Sequence, residues 1–187
     1  MTILTTDRLT LRPFDDAHLA GLHAMNSQPE VMRFITGRPE TLDETRAIIA
    51  RVKAKWAEWG YSWWAIFERS TGQLVGAGCL QHLRRDPLQP MEIGWRLQPD
   101  CWGKGYASEA ARAMAQFAFD TIGAPELVAV CHPDNAASAQ VMRRLGMQYR
   151  GLERWYETDT ATYVISRAEW HAAAAVRAAV AGGARHA

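Results

Sequence analysis

Trp102-Gly103-Lys104-Gly105-Tyr106-Ala107-Ser108-Glu109-Ala110 lies between a strand-like segment, Met91-Glu92-Ile93-Gly94-Trp95-Arg96-Leu97, and a helix-like segment that begins near Ala107. Gly103 and Gly105 leave the backbone uncovered at alternate positions, so its N–H groups can come close to a ligand. A helix that starts at such a turn adds further free N–H groups and the positive end of its dipole. Strand, glycine turn and helix N-terminus together make a cradle for phosphate.

Two common phosphate loops do not fit. A Walker A loop places a glycine six residues before its lysine, and here that residue is Gln98; Gly105, not Ser or Thr, follows Lys104. A dinucleotide fingerprint needs a small residue three after Gly105; Ser108 stands there, and no Gly-x-Gly-x-x-Gly occurs. Working outward, a second segment runs His132-Pro133-Asp134-Asn135-Ala136-Ala137-Ser138 and on to Leu145-Gly146-Met147. A third is Asp7-Arg8-Leu9-Thr10-Leu11-Arg12-Pro13-Phe14 near the start.

These three segments together resemble the GNAT superfamily of N-acetyltransferases. The turn is similar to its coenzyme A pyrophosphate loop, Gln/Arg-x-x-Gly-x-Gly/Ala, with Gly105 and Ala107 in the last two positions and Trp102 where Gln or Arg is usual. That tryptophan, the Asn135-x-x-Ser138 helix and the Arg8-Leu9-x-Leu11-Arg12 opening resemble one branch, the ribosomal-protein-alanine acetyltransferases (RimJ/RimL-like).

The coarse pattern along the chain agrees with an α/β architecture. Leu9 to Phe14 alternates as a strand, and Asp15 or Asp16 can cap a helix to about Met25. Pro29 opens a short helix through Phe34. Thr41-Leu42-Asp43-Glu44 is a capping box for a helix with Ile48, Ile49, Val52, Trp56 and Trp59 on one face, stopped by Gly60. Ser62–Arg69 and Leu74–Leu83 read as a hairpin about Ser70-Thr71-Gly72. Arg84 to Pro90 is a polar loop.

From Ala107, the residues Ala110, Ala111, Met114, Ala118 and Ile122 recur at helical spacing until Gly123. Glu126 to His132 completes a βαβ unit, so it should lie parallel to Met91–Leu97. Met147–Glu157 and Thr162–Ser166 suggest a last hairpin, and Glu169 to about Val180 an Ala-rich helix before a Gly182-Gly183 tail. The expectation is a single N-acetyltransferase domain over residues 1–187, with its core at about 7–168. Its sheet should be mixed and mostly antiparallel, with about seven strands, one central parallel pair and helices on both faces. The resemblance adds that the parallel strands splay apart around acetyl-pantetheine.

Composition narrows the partners. A net charge of +1 supplies no global field for nucleic acid or a membrane surface. The 48% apolar and 22% charged content is that of an ordinary soluble globular protein. Cys79, Cys101 and Cys131 are odd in number and widely spaced, with no metal-ligand spacing, which fits a reducing, cytoplasmic setting. Met1-Thr2-Ile3-Leu4 lacks the basic start and apolar run of a signal peptide. No apolar stretch is long enough to span a bilayer.

The resemblance implies acetyl-CoA as cosubstrate, no metal, and direct attack of an amine on the thioester. Trp95-Arg96-Leu97 would pair with pantetheine amides as an added strand, and the N–H near Trp95 would polarise the carbonyl. Trp102, Gly103, Lys104, Gly105, Tyr106, Ala107 and Ser108 would surround the pyrophosphate. Asn135 would hold pantetheine or cap its own helix.

Glu92 lies between apolar neighbours on the strand before the turn; it is either a base with a raised pKa or a surface residue of an alternating strand. Many family members carry a tyrosine acid four residues before the helix-ending glycine, but that position is Met142. The branch implies Ser138 as proton donor to the thiolate; a helix-interior serine bonded back to a carbonyl is the plainer alternative.

Trp63 and Trp64, adjacent on a strand, should face opposite ways, and one would line an acceptor cleft. Tyr156 and Tyr163 are further candidates at the acceptor end. Arg84-Arg85 is a receptor for an acidic substrate or an exposed hairpin tip. Arg143-Arg144 meets the CoA 3′-phosphate or is a solvated helix face.

The implied activity is acetyl transfer to a primary amine. A protein or peptide N-terminal α-amine fits a weak base, because its pKa of ~7.7–8.0 makes neutralisation at pH 7 cost about 1 kcal/mol; a lysine at ~10.4 costs about 4.6 kcal/mol. A small amine (polyamine, amino acid or aminoglycoside) and a non-catalytic acyl-CoA-binding module are the alternatives. A homodimer is left open.

Overall fold

The structure, a computed structural model, describes residues 1–173 and residue 175. Its strands are β1 (Leu4–Thr5), β2 (Leu9–Pro13), β3 (Trp63–Glu68), β4 (Leu74–His82), β5 (Met91–Leu97), β6 (Glu126–Cys131), β7 (Gln148–Trp155) and β8 (Thr158–Ser166). Its helices are α1 (Leu19–Asn26), α2 (Pro29–Met32), α3 (Leu42–Trp59), α4 (Tyr106–Phe117) and α5 (Ala136–Leu145). A last helix starts at residue 167 and is described to residue 173. The rest of the expected Ala-rich helix and the Gly182-Gly183 tail lie outside the described residues.

The eight strands of the described residues form one sheet in the order β1-β2-β3-β4-β5-β6-β8-β7, antiparallel except for β5 and β6. The expected count was about seven. The extra strand is β1, whose two residues pair with Thr10 and Leu11 and are too short to show any periodicity. The final hairpin also differs: β8 begins at Thr158, because Tyr156 and Glu157, at φ 52° and 62°, form a tight two-residue turn. The polar run Thr158-Asp159-Thr160 carries no strand signal of its own.

Local chemistry sets the helix limits. Thr41 and Glu44 exchange the reciprocal bonds of a capping box, and Gly60, at φ 77°, ends α3 in the left-handed conformation. Asp15 caps a short 3₁₀ turn, Asp16–His18, that leads into α1. The α4 helix widens into a π-type turn over Ala118–Ile122 before Gly123 closes it.

Register divides the sheet into two faces. Leu11, Trp64, Gly78, Ile93, Trp95 and Ala129 fall on one face, and α4 packs there. The contact is close because α4 presents the fully buried Ala110, Ala111 and Ala115, and because Gly78 leaves room for Met114: a Cβ on Gly78 would lie 2.7 Å from its terminal carbon. On the other face, the His18 ring packs tilted against Phe67 and the end of α1 bonds to Arg96. The apolar residues between these layers form one core running from Leu9 to Trp170.

The parallel pair is the exception to this regularity. β4 keeps register with β5 from Gly76 and Leu97 to His82 and Met91. β6 meets β5 only at Glu92 and Val128, and beyond that pair the two strands part. The free edge of β5 over Ile93–Leu97 therefore has backbone groups that no strand satisfies.

Candidate active site

The split between β5 and β6 opens a cleft on each side of the sheet. The first, about 400 Å³, is lined by Trp95, Leu97, Trp102, Gly103, Gly105, Tyr106, Ala107, Ser108, Asn135, Ser138 and Arg144, among others. The second, about 380 Å³, holds Glu92, Gln81, Trp63, Cys79, Arg51 and Tyr156. Trp95 and Ser138 belong to both, so the clefts meet at the split.

The first cleft is a backbone cradle. Gly103 and Gly105 take φ 73° and 84°, a conformation that a side chain opposes. Among the described residues, the N–H groups from Gly103 through Ser108 find no acceptor; the first helical bond of α4 is Glu109 N–H to Gly105 O. Six consecutive free donors at a helix N-terminus suit a pyrophosphate.

The loop is held from behind. Arg8 donates from Nη1 to Lys104 O at 2.9 Å and ion-pairs with Glu109 at 2.7 Å, while Glu109 also accepts from Thr6 Oγ1 at 2.6 Å. A Cβ on Gly105 would meet Arg8 Nη2 at 3.3 Å. This brace gives the arginine of the Asp7-Arg8-Leu9 segment a physical role that the sequence alone did not disclose.

Individual side chains divide within this cleft. Trp102, 50% exposed, is fixed by an Nε1–H bond to Leu97 O at 3.0 Å. The Tyr106 hydroxyl is committed to Glu68, while the residue lines the cleft and carries one of the free N–H groups. Lys104 lines neither cleft. The Arg96 side chain points to the other face, donating to Asn26 Oδ1 at 2.9 Å and lying over Trp63, and the residue lines both clefts.

Asn135 caps α5, accepting from Ser138 N–H at 3.1 Å, and also lines the cleft. The Ser138 hydroxyl makes no bond back to a carbonyl among the described residues; it stands half-buried at the junction. Arg144 lines the first cleft, whereas Arg143 turns away to the Tyr163 hydroxyl at 3.1 Å.

The second cleft is built around Glu92, the β5 residue at the split. It is 7% exposed, not a surface residue. Its carboxylate accepts from Gln81 Nε2 at 2.9 Å and from the Tyr156 hydroxyl. Burial raises its pKa, opposed by the bonds from Tyr156 and Gln81 and by the nearby Arg85. Tyr156 is itself pushed well above the usual phenol range, by burial first and then by Glu92, so it remains the donor.

Trp63 Nε1–H bonds Gln81 Oε1 at 3.1 Å, which orients the amide toward Glu92. Trp63 thus faces this cleft, and Trp64 is fully buried in the core on the other side. Tyr163 does not reach the cleft: it is buried in β8 against Tyr149. Met142 lines the cleft and has no proton to give. Cys79 sits beside Glu92 with its thiol pushed up by burial.

Gln81 and Arg51 carried no signal in the sequence, since their roles depend on strands and helices far apart in the chain. Among the described residues no group of His, Cys, Asp and Glu is placed to hold a metal ion, and no helix is long and apolar enough to cross a membrane.

The sequence from residue 8 to 148 matches the model of the acetyltransferase (GNAT) domain. The chain belongs to the GNAT acetyltransferases. It is 30% identical to the uncharacterized N-acetyltransferase YoaA of Bacillus subtilis (strain 168), over 86% of this chain and 90% of that one. An acetyltransferase from Agrobacterium tumefaciens str. C58 superposes with a TM-score of 0.77 at 31% identity, covering 88% and 94% of the two chains.

RimL, a ribosomal L7/L12 α-N-protein acetyltransferase solved in complex with coenzyme A, has the same fold, with a TM-score of 0.74 at 21% identity over 88% and 98% of the chains. This GNAT enzyme therefore uses acetyl-CoA as its cosubstrate. The free donors of the Gly103–Ser108 loop and the glycines that keep it open fit that molecule's pyrophosphate.

Proposed function

We propose that this enzyme transfers acetyl from acetyl-CoA to the α-amine of a protein or peptide N-terminus. One observation carries the reading: a buried carboxylate with a raised pKa stands at the split of β5 and β6, in a cleft that joins the phosphate cradle at Trp95 and Ser138. RimL, which shares the fold, acts on a protein α-amine and supports the choice of acceptor.

The roles follow from position. The Gly103–Ser108 N–H groups hold the pyrophosphate, and the unpaired edge of β5 at Trp95-Arg96-Leu97 bonds the pantetheine amides. A backbone N–H near Trp95 polarises the thioester carbonyl. Glu92, as carboxylate, takes a proton from the attacking amine, directly or through Tyr156 or water. The amine nitrogen bonds the carbonyl carbon, the carbon–sulfur bond breaks, and the electron pair leaves on sulfur. Ser138 donates a hydrogen bond to the departing thiolate and relays a proton to it from solvent.

A carboxylate, even with its pKa raised, is a weak base and matches an α-amine, which needs about 1 kcal/mol of neutralisation at pH 7 against about 4.6 for lysine. The test is release of CoA thiol with a panel of N-terminal peptides, lysine-bearing peptides with blocked N-termini, and polyamines. Turnover on free N-termini well above the rest supports the reading. Turnover confined to small amines would move the enzyme to that acceptor class, and none with any amine would leave it a binder of acyl-CoA.

A further inference from the structure

The second cleft carries two arginines that the mechanism above does not use. Among the described residues three arginines line it, Arg51, Arg85 and Arg96. Arg96 is bonded to Asn26, which in turn donates to Glu40 Oε2 at 2.8 Å. Arg84, next in the chain to Arg85, is paired with Glu157 at 3.6 Å and lies over the Trp155 ring. Arg51, from α3, and Arg85, from the loop after β4, donate no hydrogen bond and make no ion pair among the described residues.

The two act on one another: burial and then the charge of Arg85 depress Arg51, against a smaller pull from Glu40. The carboxylates of the cleft act on the pair by charge alone, Glu40 on Arg51 and Glu92 with Arg85, and bond to neither. Glu40 is held by Asn26 and Thr45, Glu92 by Tyr156 and Gln81, and His132 accepts from Asp134 N–H. Arginine does not shed its proton, so the two exposed residues keep two positive charges at the cleft, open to an anion that enters it. The loop that places Arg85 is itself unfavourable, with Arg84 and Arg85 both at positive φ, 57° and 61°.

We infer that the acceptor carries a carboxylate close to its amine, which Arg51 and Arg85 bind while the amine meets Glu92. This rests on the reading that the Glu92 cleft receives the acceptor. Two sources supply that chemistry: an Asp or Glu side chain just after the N-terminal residue of a peptide, or the α-carboxylate of a free amino acid.

Two experiments decide it. In turnover, peptides beginning Ser-Asp should show a KM about tenfold below those beginning Ser-Ala, the worth of one partly exposed charge-assisted bond, with Ser-Lys poorest. In the Arg51→Gln/Arg85→Gln double variant the ratio should fall to about one. Serine against serine amide runs in parallel; a preference there and not among the peptides assigns the carboxylate to a free amino acid.

Calorimetry with N-acetyl-Ser-Asp and N-acetyl-Ser-Ala peptides, and with N-acetylserine and its amide, on the CoA-loaded enzyme makes the same comparison without turnover. If no amine is acetylated, the proposed activity fails, and calorimetry still decides whether the arginines bind a carboxylate. Equal binding of acidic and neutral ligands, or a preference that survives the double variant, overturns the inference.

Discussion

The cleft on the α4 side holds a run of free backbone donors from one loop; the polar groups of the cleft on the opposite face are side chains from many elements. In the first, free N–H groups come from six adjacent residues, Gly103 to Ser108, and two glycines keep side chains out. In the second, Glu92, Gln81, Trp63, Tyr156 and Arg51 arrive from β5, β4, β3, the β7–β8 turn and α3. A backbone site serves a cosubstrate whose phosphates are always the same. A side-chain site can be rebuilt for each acceptor, so on the proposed function specificity would belong to the second cleft.

The largest expected effect breaks the first cleft alone. Gly105→Val puts a branched side chain at φ 84°, against Arg8. Acetyl-CoA affinity should fall on the order of 10³-fold, the loss of about two charge-assisted bonds to phosphate. Gly60→Val is the control: it has a similar φ of 77°, with nothing within 4 Å of its Cβ, and it lines neither cleft. It should share the backbone strain and keep its affinity. Calorimetry on both variants gives the comparison, and unchanged affinity in Gly105→Val would remove the pyrophosphate from this loop.

A smaller effect is expected at the junction. Ser138→Ala should lower kcat by ~10²-fold, the low end for a lost general acid, with acetyl-CoA affinity retained because the backbone N–H still bonds Asn135. Turnover within about twofold of wild type would leave Ser138 a helix residue and assign the proton to water.

The smallest effect sharpens the second cleft. Because folding raises the Glu92 pKa, its contribution to stability is full below the unfolded value of ~4.3 and is lost as pH rises through the folded value. Glu92→Gln should therefore gain in Tm relative to wild type as pH rises above ~4.3, the unfolded value, up to the raised folded one. Parallel Tm curves would place the charged carboxylate in a solvated site.

The same contrast explains what could be read before the structure. The cradle is local: strand, glycines and helix start follow one another, so its position was legible from Met91 to Ala110. The capping box at Thr41, the stop at Gly60 and the βαβ unit were legible for the same reason. Tyr156 was only one of two candidate tyrosines, because its reach to Glu92 depends on a turn of two non-glycine residues at positive φ. Tyr163 was misjudged since strand parity, not sequence distance, turns it into the core. Arg51 and Gln81 had no local mark at all. The split of β5 from β6 was foreseen only through resemblance, as neither strand contains a residue that forbids pairing.

The central claim is that Glu92 accepts the amine's proton, and a pH–rate profile tests it most directly. The measurement is kcat/KM on a serine-initiated peptide from pH 5 to pH 9, for wild type and Glu92→Gln. Glu92 works only as the carboxylate, so the wild-type rate should climb with pH through its raised titration and then follow the amine's own ionisation. In Glu92→Gln the first rise should vanish, with a defect that shrinks at high pH where the amine is already neutral. A Glu92→Gln profile that matches wild type would contradict the account and leave this residue as part of the acceptor's binding surface.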